Sequence, residues 1–215
     1  MQLCHFHLPS RDGDYIAQFR NALRESGVDL LTVLIDDGDV TDPEIGEASV
    51  AWTANWVRTA ADLGASRVRL IAGKQPYSRE TMDLAFFRLM LISKVAEEVG
   101  LICEIENWHA LMATPAAVHE LLDRSKGMIR LNADFGNWPK PERYETLPQI
   151  FGRAETCHAK FEFLSPTELD REDADKLLAI AKNANFQGPM VLVNGGPGES
   201  DWDAMDIQRQ AILNA

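Results

Sequence analysis

The chain has 215 residues, 46% hydrophobic and 25% charged, the mix of a folded globular protein rather than a disordered one. Its 21 basic and 33 acidic residues leave a formal net charge of −12, which repels phosphate backbones and anionic lipid. No local basic patch offsets that charge, so neither a nucleic acid nor a membrane is expected as a partner. No apolar run approaches the roughly 18 residues of a transmembrane helix, and the N-terminus lacks the basic start and apolar core of a secretory signal. Cys4, Cys103 and Cys157 are widely spaced and form no CxxC pair, so buried free thiols in the cytoplasm are expected.

Short apolar runs alternate along the chain with amphipathic stretches. Residues 2–7 read as a strand and 15–26 as a helix; 29–35 then precedes 49–63, and 67–72 precedes 79–99. In the second half, 101–106 leads to 115–124, 128–134 to 142–151, 156–162 to 170–184, and 190–193 to 201–213. Gly27, Gly64 and Gly100 stand just after helical patterns, where a left-handed residue is wanted. Thr114-Pro115 sets a cap before a proline at the first helical position. Strict alternation predicts parallel strands with helices outside. No linker or break in composition divides residues 1–215, so one domain is expected.

The first strand does not lead into a glycine-rich phosphate loop, as an open doubly wound sheet would require. Instead Asp36, Lys74, Glu106, Asp134, His158 and Asn194 stand at the ends of different strands. Polar residues at many strand tips are the layout of a (β/α) barrel active site. Seven units are recognisable where a complete barrel has eight, so the expected fold is an incomplete (β/α) TIM-type barrel.

Three consecutive strands carry the chemistry. Alternation puts Glu104 with Glu106, Arg130 with Asn132 and Asp134, and His158 with Lys160 and Glu162, each set on one face. Helices must cover the apolar faces, so these polar faces are expected to line the barrel. Glu106, Asp134 and His158 then stand at adjacent strand tips, each about one unit from the next. Two carboxylates and an imidazole suit Mn²⁺, Mg²⁺, Fe²⁺ or Zn²⁺, while an interior salt-bridge network without metal fits the spacing equally well.

Four stretches carry a family resemblance: Val68-Arg69-Leu70-Ile71-Ala72-Gly73, Glu106-Asn107-Trp108, Asp134-Phe135-Gly136-Asn137-Trp138 and His158-Ala159-Lys160-Phe161. In this order they resemble the xylose-isomerase-like TIM barrel superfamily, which includes sugar phosphate isomerases and epimerases, tagatose-type ketose epimerases, inosose dehydratases and endonuclease IV. The resemblance implies a divalent metal held by Glu, Asp, His and a second Glu, of which the first three fall on Glu106, Asp134 and His158. The fourth position falls on Val193 or Asn194, and no acid occurs there; Glu199 and Asp201 follow a few residues on. The resemblance therefore implies a weak or absent metal. It leaves Glu106 as the one retained acid–base carboxylate, with Lys160 as stand-in for its missing partner. The first strand resembles the family's second, so the family's first unit has no counterpart. The exposed barrel edge is then expected to associate with another copy, to be filled by the N-terminal segment, or to reflect a start at an internal methionine.

Other residues complete the expected site. His7, at the end of the first strand and on one face with His5, is a candidate substrate contact, as is Lys74 for a substrate anion. Asn107, His109, Asn137 and Asn194 suit hydroxyl recognition, and Trp108, Trp138 and Trp202 suit a sugar ring or rim packing. Residues 195–198, Gly-Gly-Pro-Gly, suit close approach of a ligand or a plain turn. Arg69 and Glu104 are expected to form an interior ion pair, and Lys160 either acts in catalysis or pairs with Glu162 or Glu104. The function implied is that of a sugar phosphate isomerase/epimerase-like protein. It would be a metal-dependent isomerase, epimerase or lyase acting on a small polyhydroxy carbonyl compound. The alternatives are a degenerate sugar-binding barrel without turnover and a metal-dependent phosphodiesterase, the latter disfavoured by the negative charge and a single ligand histidine.

Overall fold

The computed structural model describes residues 1–193 and 201–215, with the Asp201 side chain excepted. Asn194, residues 195–198 and Glu199 lie outside the described residues, as does the Asp201 side chain. Two compact units are present, Met1–Arg130 and Leu131–Ala215.

In the first unit β1 (Gln2–Cys4), β2 (Thr32–Leu34), β3 (Arg67–Leu70) and β4 (Ile102–Glu106) pair in parallel in chain order. Each is followed by a helix: α1 (Gly13–Ser26), α2 (Gly46–Leu63), α3 (Arg79–Glu98) and α4 (Pro115–Ser125). The ends follow local chemistry. Gly64 closes α2 at φ +85°, a conformation that would strain a residue with a Cβ. Ser78 and Thr114 cap α3 and α4, accepting the Thr81 and Ala117 amides. Strand alternation sends Val68, Cys103 and Ile105 to the apolar side, all nearly inaccessible, where α2 and α3 lie against β3 and β4. Arg67, Arg69, Glu104 and Glu106 take the other face.

The division between the units falls within β5 (Ile129–Asp134). It is followed by α5 (Arg143–Phe151), β6 (Ala154–Ala159), an antiparallel ribbon of β7 (Phe163–Ser165) and β8 (Glu168–Leu169), α6 (Arg171–Asn183), β9 (Met190–Leu192) and α7 (Asp201–Leu213). β6 pairs in parallel with β5 and with β9. Phe135 stacks on Phe151 with centroids 5.3 Å apart and meets Phe161 at 5.7 Å, forming the aromatic centre of this unit. Seven strand–helix units thus succeed one another, as the alternation predicts. No helix among the described residues is long and apolar enough to cross a membrane.

Two strand boundaries correct the expectation. β1 ends at Cys4, and His5–His7 forms a 3-10 turn instead of continuing the strand. The turn carries His5 inward, where its Nδ1 accepts the Asp36 amide at 3.3 Å and its ring meets Trp52 and Trp56 edge-on. β6 ends at Ala159, because the Lys160 amide turns back onto the His158 carbonyl at 3.0 Å and leaves the ladder. Lys160 and Glu162 are therefore not strand residues, and the β7–β8 ribbon follows them before α6. Arg130, expected on the inward face with Asn132 and Asp134, is exposed.

Candidate active site

In the first unit the polar residues gather at the C-terminal ends of the strands. Glu106 ends β4 and is 3% exposed. Arg69 on β3, equally buried, sets Nη2 2.5 Å from Asp36 Oδ1 and Nε 3.7 Å from Glu106 Oε2. Burial alone would depress the Arg69 pKa, but Glu106 and Asp36 outweigh it and hold the guanidinium charged. Burial, then the neighbouring Asp36 carboxylate, pushes the Cys4 thiol up to about 12, so it stays protonated and inert.

The expected Arg69–Glu104 pair is corrected. Arg69 and Glu104 are register partners across β3 and β4, yet Glu104 Oε1 accepts from Arg67 Nη1 at 2.7 Å. Both arginines reach two residues beyond their register partners, Arg67 past Ile102 to Glu104 and Arg69 past Glu104 to Glu106, because an extended arginine side chain spans about two residues of strand rise. Charge pairing inside the face is kept, with the partners shifted.

The loops after β2 and β3 are fixed by one buried carboxylate. Asp39 Oδ1 accepts the Thr41 hydroxyl at 2.5 Å, the Thr41 amide at 2.9 Å and the Lys74 amide at 3.1 Å, while Oδ2 accepts Gln75 Nε2 at 3.3 Å. Lys74 is half-buried beside it. Trp108 carries the Arg69 guanidinium 5.2 Å from its ring centroid and stacks on His109, centroids 4.0 Å apart. Burial, with Lys74 and Arg69 nearby, lowers the His109 pKa below the ordinary imidazole value, so its ring is neutral at pH 7. Asn107 is fully buried, and His7 is exposed on the 3-10 turn.

In the second unit Asp134 and His158 end β5 and approach the end of β6. Asp134 Oδ1 accepts the Gly136 amide at 2.6 Å, and Oδ2 stands 3.3 Å from His158 Nδ1. Two atoms bonded about 2.1 Å from one ion, at tetrahedral or octahedral angles, stand about 3.0–3.4 Å apart. The Asp134–His158 spacing fits that range. Asp134 and His158 are both buried and supply a carboxylate and an imidazole of the kind a divalent ion takes. Lys160 crosses Gly136 so closely that a Cβ there would lie 2.9 Å from Lys160 Cδ. Asn137 is half-buried one residue on.

Lys160 pairs with neither expected acid. Glu162 binds Lys140 Nζ at 2.9 Å and Arg143 Nη1 at 3.0 Å, and Arg143 also pairs with buried Asp173. Tyr144 donates to the same Asp173 oxygen at 2.8 Å. This cluster joins the loop after β5, the loop after β6 and the start of α6. Apart from Glu162, the sequence does not mark these residues, nor Asp39, because they lie in loops and helix starts that no periodicity singles out. Trp138 is buried and Trp202 is 82% exposed, so packing accounts for the first. On the β9 side, Val193 is half-buried and donates its amide to Ala159 at 3.4 Å.

No curated protein matches the sequence. Among solved structures, a D-tagatose 3-epimerase-like protein superposes with a TM-score of 0.76 at 15% identity, covering 99% of this chain and 88% of that one. A 3-keto-D-glucoside 4-epimerase from E. coli, in its apo form, gives 0.72 at 15% identity over 94% and 86%. A xylose isomerase-like TIM barrel protein from Mycobacterium smegmatis, in complex with magnesium, gives 0.70 at 18% identity over 94% and 78%. These likenesses establish the fold. The family model described as xylose isomerase-like TIM barrel matches residues 1–204, and the chain belongs to that family.

Proposed function

We propose that the protein is a divalent-metal-dependent isomerase, epimerase or lyase acting on a small polyhydroxy carbonyl compound. The observation that carries this reading is the 3.3 Å approach of Asp134 Oδ2 to His158 Nδ1, with the other Asp134 oxygen anchored on the Gly136 amide. Asp134, His158 and Glu106 would hold the ion, which when bound polarises a substrate carbonyl. Glu106, whose Oε2 stands 3.7 Å from Arg69 Nε, takes the proton from the carbon next to that carbonyl. Lys160 supplies the proton to the neighbouring position; a base and an acid of this kind suffice for isomerisation or loss of water. Asn107, His109 and Asn137 receive substrate hydroxyls, with Lys74 and His7 at the rim. Solved relatives described as tagatose-, ribulose- and allulose-type 3-epimerases make a ketose the first substrate class to try.

The test is incubation with Mg²⁺ and D-tagatose in deuterated water, followed by proton NMR. Solvent deuterium should enter beside the carbonyl, and Glu106→Gln should abolish the exchange. Exchange that persists in Glu106→Gln would remove Glu106 from its role. A second reading, a sugar-binding barrel without turnover, is favoured by one observation: no acid stands between 190 and 198, where the family's fourth ligand falls. Sugar binding without exchange across a panel of ketoses would decide for it.

A further inference from the structure

His109 has its backbone at φ +61°, ψ 175°, a region that essentially only glycine occupies without strain. Its ring is fixed in plane by stacking on Trp108, tilted 28° at a centroid distance of 4.0 Å. Trp108 lies under the Arg69 guanidinium, itself held by Asp36 and Glu106. The held imidazole has a buried Nε2 with no hydrogen-bond partner. Strain combined with an unfilled polar atom marks a group placed for a ligand rather than for packing.

Lys74 is beside it. Gly73 is wedged so tightly that a Cβ would lie 2.6 Å from Thr41 and 2.7 Å from Leu111, two residues beyond His109. The loop after β3 therefore touches the segment that carries the imidazole. The Lys74 amide is locked onto Asp39, which fixes where its side chain starts. Among the described residues no carboxylate pairs with the Lys74 ammonium, although the chain carries 33 acids against 21 bases. Asp36 and Glu106 are already taken by Arg69, and Asp39 by amides and hydroxyl. A neutral hydroxyl would satisfy the imidazole and leave the ammonium uncompensated; an anionic group satisfies both.

We propose that His109 and Lys74 form a subsite for an anionic group, a carboxylate or a phosphate, carried by the substrate. This rests on the polyhydroxy carbonyl reading above and adds a charged end to that substrate. The test is calorimetric titration of the full chain with D-tagatose, D-tagatose 6-phosphate and D-tagaturonate, the charged pair separating phosphate from carboxylate. One charged sugar should bind at least about tenfold tighter than the neutral one, and Lys74→Met should collapse that ratio to within about twofold. His109→Gly should raise the melting temperature, since glycine relieves the backbone, while lowering affinity for the charged sugar. Equal affinities for charged and neutral sugars, or a ratio that survives Lys74→Met, overturns the subsite. A lower melting temperature for His109→Gly overturns it too, because the imidazole would then be serving as packing. The Glu106-dependent deuterium exchange reports separately on the catalytic reading, so either can fall without the other.

Discussion

Oδ2 of Asp134 stands 3.3 Å from Nδ1 of His158, while its other oxygen is bound by the Gly136 amide. The carboxylate thus divides its two oxygens between holding the loop after β5 and facing the imidazole. Gly136 also admits the Lys160 stem, which a Cβ would displace. One short segment, Asp134 to Gly136, therefore sets the positions of a carboxylate, an imidazole and a lysine.

The first prediction concerns Asp39 and pH. Burial works to raise its pKa, but hydrogen bonds from the Thr41 hydroxyl, the Lys74 and Thr41 amides and Gln75 outweigh that and lower it from 3.8. A carboxylate depressed in the folded state contributes stability that is fully present above its unfolded pKa and is lost as pH falls through the folded one. Asp39→Asn should therefore unfold more easily at pH 7 by about 1.5–3 kcal/mol, the cost of losing a charge-assisted hydrogen bond. The gap should hold down to pH 5 and narrow below about pH 4. Denaturant unfolding at several pH values checks both; a gap that widens in acid would contradict the assignment.

The second concerns the shifted ion pair. Glu104 is inaccessible and its partner Arg67 is 16% exposed at the side chain. Removing one charge strands the other, so Glu104→Gln should cost about 3 kcal/mol, the lower end of the range for a broken buried pair because Arg67 reaches water. An unchanged melting temperature would show that Glu104 is not held by a charge.

The third concerns the cluster of the second unit. Arg143 and Asp173 are 2% and 1% exposed, and Lys140 and Tyr144 converge on the same carboxylate. Asp173→Ala should destabilise by about 3–5 kcal/mol. Asp170→Asn, which takes a partly exposed charge from Lys140 but keeps a side-chain oxygen to accept the Asp173 amide at the start of α6, should cost less than about 1 kcal/mol. Thermal unfolding of the two variants ranks them; the reverse order would misplace the centre of the cluster.

Much of the fold was readable because strand and helix periods differ. Val68, Cys103 and Ile105 alternate with charged neighbours, and that alternation alone separates the helix-facing side of β3 and β4 from the polar one. The tips of the strands, Glu106, Asp134 and His158, follow from the same counting. Periodicity assigns faces and not partners, which is why Arg67 rather than Arg69 took Glu104. It is also blind to turns of three residues: His5–His7 has the composition of a strand, yet the Leu8 amide closes it onto the His5 carbonyl and the Asp36 amide binds the His5 ring. β7 and β8, at three and two residues, are too short for any repeat to register. Asp39 and Asp173 act through loop amides and neighbouring elements, and nothing in their flanking sequence marks those bonds.

The claim that Asp134, His158 and Glu106 hold a divalent ion is tested most directly by calorimetric titration of the metal-stripped protein with Mn²⁺, repeated on Asp134→Ala. Asp134→Ala removes the carboxylate whose Oδ2 faces His158 Nδ1 at 3.3 Å. The account predicts saturable binding by the parent chain and loss of at least about tenfold in affinity for Asp134→Ala. No binding by the parent at millimolar Mn²⁺, or equal binding by the variant, would contradict it.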